Sequence, residues 1–133
     1  MIYALDTNVI IHMFRSSQAL RDKRDAKIAL GNMLIIPPIV HYEMRRGFLY
    51  KTAPAKEKMY SEFCSLFSVG EMNYETWEHA ASLYADLRRS GRTVDDADIL
   101  IAAFCIVGDY TLVTHNTRHF NGISGLKLED WIE

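Results

Sequence analysis

The amino-acid sequence predicts an α/β fold with three layers, in which a central parallel sheet of four or five strands has helices on both faces. Short apolar, β-prone runs alternate along the chain with longer segments whose apolar residues recur at helical spacing. Strands that alternate with helices pair in parallel through helical crossovers. The 133 residues contain no internal repeat, linker or low-complexity tract. We therefore expect residues 1–133 to form a single domain.

Each predicted element has a local signal. Short apolar runs predict strands at residues 1–5 (MIYAL), 33–36 (MLII) and 110–114 (YTLVT), with a last short strand or turn at 126–131 (LKLEDW). Helical spacing predicts helices after Asp6-Thr7-Asn8, from Ser16 to about Leu30, after Pro37-Pro38, over 55–67, over 74–90 and after Asp95. Proline fits the first helical turn, and Gly31 and Gly91 are natural residues for helix ends. The polar break at 70–73 predicts a loop.

The composition excludes several classes of protein. Apolar residues make up 49% and charged residues 24%, which is the balance of a folded globular protein. The apolar runs are too short, or too broken by proline, to span a bilayer, and no charged region precedes the first apolar residues. We therefore expect a cytoplasmic protein without a membrane segment. Cys64 and Cys105 are expected to be reduced, buried thiols.

The stretch DDADILIAA at residues 95–103 places carboxylates at the start of an apolar helix. If Val94 or Asp95 precedes the first helical turn, then Asp98 lies in that turn, where the helix dipole favours negative charge. The ordinary alternative is an acidic N-cap before a core helix. Asp6 follows a strand directly, and it or Thr7 could likewise serve only as a helix cap. Glu43 falls beside the apolar face of its helix, where a glutamate is usually half exposed and inert.

The predicted topology brings these acidic residues together. Asp6, Glu43, Asp98 and Asn116 all follow predicted strands or lie near helix starts, and such positions meet at one edge of a parallel sheet. Converging carboxylates repel unless protons or a metal ion neutralise them. An all-oxygen donor set favours Mg²⁺ or Mn²⁺ over zinc. Water activated by such an ion hydrolyses phosphodiesters.

Several other residues have supporting roles in this hypothesis. Asp95 lies about one turn before Asp98 and could orient water or complete a second metal site, while Thr7 could hydrogen-bond a metal ligand and Asn8 could hold the turn. Arginines that could contact RNA phosphates, or form a solvated face, are Arg45, Arg46, Arg88, Arg89 and Arg92. His115 and His119 have a spacing that suits zinc on a helix. Because Asn116-Thr117 directly after a strand disfavours a helix, we do not expect that zinc site.

In the order of these motifs, the sequence resembles a known protein family. Asp6-Thr7-Asn8 after an apolar strand, Glu43 after Pro37-Pro38, Asp98 in DILIAA, and THNTRHF with a closing Leu-Glu-Asp-Trp look like a PIN-domain ribonuclease, in particular a VapC toxin. The resemblance covers essentially the whole chain. It implies a PIN-like fold and an endoribonuclease that uses Mg²⁺ or Mn²⁺, with a VapB-like antitoxin as partner, a homodimeric state and an RNA substrate, tRNA for several such toxins.

The resemblance also implies roles for particular residues. Asp6, Glu43 and Asp98 match positions that bind metal or activate water in the family. The fourth acidic position of the family falls within NTRHF, where this chain has only Asn116 and His119. Two rival functions stay open at this point: a non-catalytic PIN fold that binds RNA or assembles with other proteins, and a nuclease that acts on DNA.

Overall fold

The computed structural model describes residues 1–15 and 17–132; Ser16, the predicted start of the second helix, lies outside the described residues. The described strands form one parallel sheet in the order β3-β2-β1-β4-β5. The strands are β1 (Ile2–Leu5), β2 (Met33–Ile36), β3 (Ser68–Val69), β4 (Thr111–Val113) and β5 (Lys127–Glu129). The helices are α1 (Thr7–Phe14), α2 (Gln18–Ala29), α3 (Pro38–Tyr50), α4 (Pro54–Leu66), α5 (Tyr74–Arg89), α6 (Asp96–Gly108) and α7 (Thr117–Phe120). The predicted α/β class is confirmed.

The strand order places β1 at the centre of the sheet and creates a crevice beside it. The chain proceeds outward from β1 to β2 and β3, and it then crosses back to add β4 and β5 on the other side of β1. The register pairs Ala4 with Ile35 on one side and with Leu112 on the other. Parallel crossovers are right-handed in nearly all proteins, so α1 to α4 cover one face and α5 to α7 the other. Strand order reverses between β1 and β4, which is where ligands bind in open α/β sheets.

The core consists of the sheet residues and the helix faces that pack on them. Ala4 and Leu5 of β1, Ile36 of β2 and Leu112 of β4 are fully buried. Helix α6 is nearly apolar throughout and packs against α5. Among the described residues, no helix is long and apolar enough to cross a membrane. Cys105 is buried as predicted, Cys64 is only half-buried, and both are free thiols.

Two elements differ from the sequence-based prediction. Strand β3 is only two residues long, and Ser68–Val69 lies at the end of a segment whose composition indicated helix and loop. It forms because β2 offers an unpaired edge, to which Ile36 and Val69 contribute a parallel pair. The segment after β4 does become helical: Thr117–Phe120 makes a single turn, contrary to our expectation. That turn is anchored because Phe120 is buried in the core.

Gly70 lies where the backbone after β3 passes close to the core. Its N–H donates to the Ile36 carbonyl at 2.8 Å. A Cβ atom at this position would lie 2.3 Å from the ring of Phe104, which is 5% exposed and packs against Tyr110. The position therefore requires glycine for space rather than for an unusual backbone angle.

We predict that Gly70→Ala lowers the free energy of unfolding by about 1–3 kcal/mol, the usual cost of overpacking. Gly47→Ala is the matched control, because a methyl group at that position would have no other atom within 4 Å and alanine favours the interior of α3. That control should gain about 0.5–1 kcal/mol. Urea denaturation of both variants measures the two values, and equal stability of the variants would contradict the close packing of Gly70 against Phe104.

Candidate active site

Asp6 is a buried carboxylate at the centre of the sheet edge. It follows β1 directly and is the N-cap of α1, and it is only 6% exposed. Its Oδ1 accepts a hydrogen bond from the Thr7 backbone N–H at 2.8 Å, and its Oδ2 accepts one from the Thr114 hydroxyl at 2.8 Å. Burial raises the pKa of Asp6 above its ordinary value, although these two hydrogen bonds and the nearby His119 act in the opposite direction. The fold thus holds a carboxylate where negative charge is unfavourable.

Thr114 fixes the position of Asp6 from the neighbouring strand. It is fully buried and follows β4 directly, and its backbone N–H donates to the Glu129 carbonyl at 3.0 Å. The backbone N–H of Asp6 in turn donates to the Val113 carbonyl at 3.0 Å. Because β1 and β4 are adjacent and parallel, their carboxyl ends present the aspartate and the threonine side by side.

Asp98 provides the second carboxylate from the other side of the crevice. It lies in the first turn of α6, and its Oδ2 is 3.2 Å from Nδ1 of His119. Burial raises the pKa of Asp98, and the charges of Asp6 and Asp95 raise it further, while His119 opposes them. Asp6 is therefore close enough for its charge to disfavour the charged form of Asp98. This is the electrostatic signature of a site that accommodates a cation.

Glu43 approaches the pair through an intermediate residue. It projects from α3, and its Oε1 accepts a hydrogen bond from the Thr7 hydroxyl at 3.0 Å. Its Oε2 lies 3.6 Å from the guanidinium of Arg46. The charge of Glu43 is not among those that shift the pKa of Asp6 or Asp98. The structure thus places Glu43 at the rim of the site, connected to Asp6 by the adjacent residue Thr7.

The predicted supporting residues have distinct positions. Asp95 is the exposed N-cap of α6, and it shares a cleft with Asp98 and His119. Asn8 accepts a hydrogen bond from the His115 backbone N–H at 3.4 Å, so it ties the turn after β1 to the end of β4. Asn116 is exposed at the N-terminus of α7, and its backbone N–H donates to the Thr114 hydroxyl at 3.0 Å.

Each of the five arginines predicted to contact RNA has a partner within the chain, and that role stays a prediction. Arg45 pairs with Glu57 at 2.6 Å and Arg89 with Asp86 at 3.2 Å. Arg46 and Arg88 lie over the rings of Tyr42 and Tyr84, respectively. Arg92 donates to the backbone carbonyls of Arg118, His119 and Asn121. Partners within the chain thus contact all five arginine side chains. The spacing of residues in the sequence does not reveal such contacts.

Two site residues were absent from the sequence-based set of candidates for the acidic centre. Thr114 could have been found from its position, because a polar residue that closes an apolar strand lies at the same edge as Asp6. For His119, the sequence suggests a zinc site with His115 or a place at the family's fourth acidic position, and neither predicts its contact with Asp98. In the structure the two histidines have different partners, since His115 lies 3.1 Å from Asp130 and His119 contacts Asp98.

The donor chemistry at this edge suits a hard divalent cation. Within residues 1–15 and 17–132, no three histidine, cysteine or acidic side chains converge into a complete metal cage. Mg²⁺ does not require one, because it commonly binds through one or two carboxylates and retains waters or substrate phosphates. The facing pair of Asp6 and Asp98 meets that requirement. Fold and site together define an α/β protein with an acidic crevice at its topological switch point.

Comparison with known proteins identifies the family. The sequence model described as PIN domain matches residues 3–126. Ribonuclease VapC1 of Methanocaldococcus jannaschii is 30% identical over 128 residues, which cover 95% of this chain and 85% of that protein. The tRNA(fMet)-specific endonuclease VapC of Shigella flexneri is 29% identical over 97% of each chain. This chain belongs to the PIN-domain family and, within it, to the VapC group.

The solved structures agree with this assignment. The structure of VapBC2 from Rickettsia felis, bound to a DNA fragment from its promoter, contains a chain that superposes with a TM-score of 0.91 at 25% identity. The superposition covers 99% of this chain and all of that one. The PIN-like fold expected from the sequence is therefore confirmed.

The raised pKa of Asp98 predicts how stability depends on pH. A carboxyl whose pKa is higher in the folded state than in the unfolded chain loses stability as pH rises from the ordinary value of 3.8 through the folded value. We therefore expect Asp98→Asn, in the presence of a chelator, to raise the free energy of unfolding at pH 7. The gain should shrink as pH falls toward 4, as measured by urea denaturation at several pH values.

Asp109→Asn is the control, because the pKa of Asp109 is lowered rather than raised. Asp109 is fully exposed at the far end of α6, and Lys127 lowers its pKa through a hydrogen bond at 2.8 Å. Its replacement should give no stabilisation at pH 7. A loss of stability at pH 7 in Asp98→Asn would show that His119 more than offsets the repulsion in the acidic pair.

Proposed function

We propose that this chain is a metal-dependent endoribonuclease that acts as the toxin of a toxin–antitoxin pair. The observation that carries the proposal is the pair of facing carboxylates, Asp6 and Asp98, at the switch point of the sheet. Placing the half-buried Asp98 where the charge of the buried Asp6 acts on it costs stability, so a fold that contains both gains something in return. Charge compensation by a divalent ion and its phosphodiester substrate accounts for that cost.

The chemistry follows from the positions of the residues. When bound, Mg²⁺ or Mn²⁺ lowers the pKa of a water molecule and offsets charge on the phosphate oxygens. Asp6 and Asp98 would hold the ion, with Asp95 beside it. Glu43, held in place by the Thr7 hydroxyl and by Arg46, is poised to accept a proton from attacking water. Thr114 orients the Asp6 carboxylate and favours its charged form by donating to Oδ2.

The substrate and partner classes come from the relatives. Two relatives are named ribonuclease VapC1 and tRNA(fMet)-specific endonuclease VapC, which supports RNA and favours tRNA as the substrate. A neighbouring structure contains VapB and VapC together, which supports a VapB-like antitoxin as partner. The homodimer expected from the resemblance stays a prediction. Helix α5 offers exposed aromatic residues for such a contact: Tyr74, Trp77 and Tyr84.

Two rival functions differ in what they predict. A non-catalytic PIN module that only binds RNA has no need of a buried carboxylate whose charge acts on a second, half-buried one. A DNA nuclease would use the same acidic site, because phosphodiester chemistry reads the backbone more than the base. RNA and DNA single strands of the same sequence, incubated with the protein and Mg²⁺ or Mn²⁺, separate the three functions.

We predict that purified protein cleaves bacterial tRNA only when Mg²⁺ or Mn²⁺ is present. Asp6→Asn and Asp98→Asn should each reduce the cleavage rate by at least about a hundredfold, because each removes a ligand of the ion. Asp109→Asn makes the same chemical change at the far end of α6 and should cleave like the parent. Gel analysis of the products measures the rates, and equal cleavage by all four proteins would refute the assigned site.

Metal binding can be measured without catalysis. A ligand at 100 times its dissociation constant stabilises the folded state by about 2.7 kcal/mol. We expect Mg²⁺ or Mn²⁺ to raise the melting temperature of the parent and of Asp109→Asn, and to have little effect on Asp98→Asn. A thermal shift of equal size in Asp98→Asn would place the ion elsewhere.

A further inference from the structure

An apolar cleft of about 280 Å³ opens beside the acidic site. Helices α1 and α3 form its walls, and its inner end reaches Thr7 and Glu43. The rings of Phe14 and Phe48 line it, and both side chains are partly exposed. A phosphodiester at the acidic site would therefore have its neighbouring nucleotide at the mouth of this cleft.

The mouth of the cleft carries three cations: Arg15, Lys51 and Lys56. All three are exposed. Among residues 1–15 and 17–132, none of these side chains forms an ion pair or a hydrogen bond. This distinguishes them from Arg45, Arg89 and Arg92, whose guanidinium groups are engaged by partners within the chain. These three cations are thus available to a ligand at this cleft.

A second cleft continues away from the acidic site. It has a volume of about 460 Å³ and shares Phe14 and Arg15 with the first. Arg21, Arg24 and Glu62 also line it, but Arg21 is hydrogen-bonded to Gln18 and Arg24 is paired with Asp25. The two clefts therefore form a track that begins at Glu43 and leads across α1 toward α2. We define the first cleft, with its walls Phe14 and Phe48 and its three cations, as the basic cleft.

We propose that the basic cleft binds single-stranded RNA next to the scissile phosphate, with a base against Phe14 or Phe48 and phosphates at Lys51, Lys56 and Arg15. Stacking on aromatic rings inside a positively charged groove is the general mode of single-strand recognition. This inference rests on the proposed ribonuclease function and names the substrate subsite of the same centre.

The charge balance favours a polyanion over a protein segment as occupant. The lining contains three cations and one carboxylate, Glu43. A peptide that brought a basic side chain to the acidic site would have to pass these cations. An RNA strand gains binding free energy at each of these cations, because every phosphate neutralised by a lysine or arginine releases counterions.

The test measures binding apart from cleavage. A fluorescein-labelled single-stranded RNA of about 12 nucleotides is titrated with protein in a chelator, between about 50 and 200 mM salt. The doubly substituted variant Lys51→Gln/Lys56→Gln should bind about tenfold more weakly. For this variant, the slope of log K against log salt concentration should be shallower by about 1.4, because each lost contact to a single strand contributes roughly 0.7.

Matched variants separate a local effect from a general one. Lys23→Gln/Lys58→Gln removes the same charge from α2 and α4 outside the basic cleft and should bind RNA like the parent. Phe48→Leu keeps an apolar side chain but removes the ring, and it should weaken binding about fivefold. Phe67→Leu makes the same change outside the cleft and should have no effect.

The outcomes distinguish this inference from the proposed function. Weaker binding in the cleft variants but not in the controls supports the inference, whether or not the parent cleaves. RNA affinity that is unchanged in the cleft variants, or reduced equally in the control variant, overturns it and leaves the cleft to a protein partner. Absence of metal-dependent cleavage by a parent that binds RNA in the cleft would refute the proposed function alone.

Discussion

The hydrogen bond between the Thr114 hydroxyl and the Asp6 carboxylate is the contact on which the site depends. It joins the carboxyl ends of two adjacent parallel strands, and it does so at the one place in the sheet where strand order reverses. Burial alone would drive Asp6 toward its neutral form. The hydroxyl of Thr114 and the first N–H of α1 stabilise the charged form, so the fold supplies a partly compensated anion.

On the opposite wall of the crevice, a helix start and a histidine hold the second carboxylate. Asp98 occupies the first turn of α6, where the helix dipole favours negative charge, and His119 approaches it from α7. Helix α7 is a single turn that would be marginal alone. Arg92 holds it by donating to the carbonyls of Arg118, His119 and Asn121. An arginine that resembles a ligand-binding residue in the sequence thus stabilises the backbone that carries His119.

The architecture can be predicted from the sequence more completely than the side-chain contacts of the site can. The alternation of apolar strands and helices predicts the parallel sheet. Asp6 after a strand and Asp98 at the start of an apolar helix then predict the edge where the acids meet, because topology determines that edge. Strand β3 is too short to produce a pattern, since pairing with β2 rather than propensity creates it. Likewise, periodicity gives no information on which arginines are engaged by local carboxylates and tyrosines, or on which lysines are left for a ligand.

The separation of Asp6 from Thr114 has a consequence for biosynthesis. These residues are 108 positions apart, so a ribosome that adds 5–20 residues per second makes the threonine about 5–20 seconds after the aspartate. During that interval β4 is absent, and Asp6 lacks both the hydroxyl donor of Thr114 and the strand that aligns it. A nascent chain emerging among RNA molecules therefore has no assembled nuclease centre until Thr114 and its strand have been made.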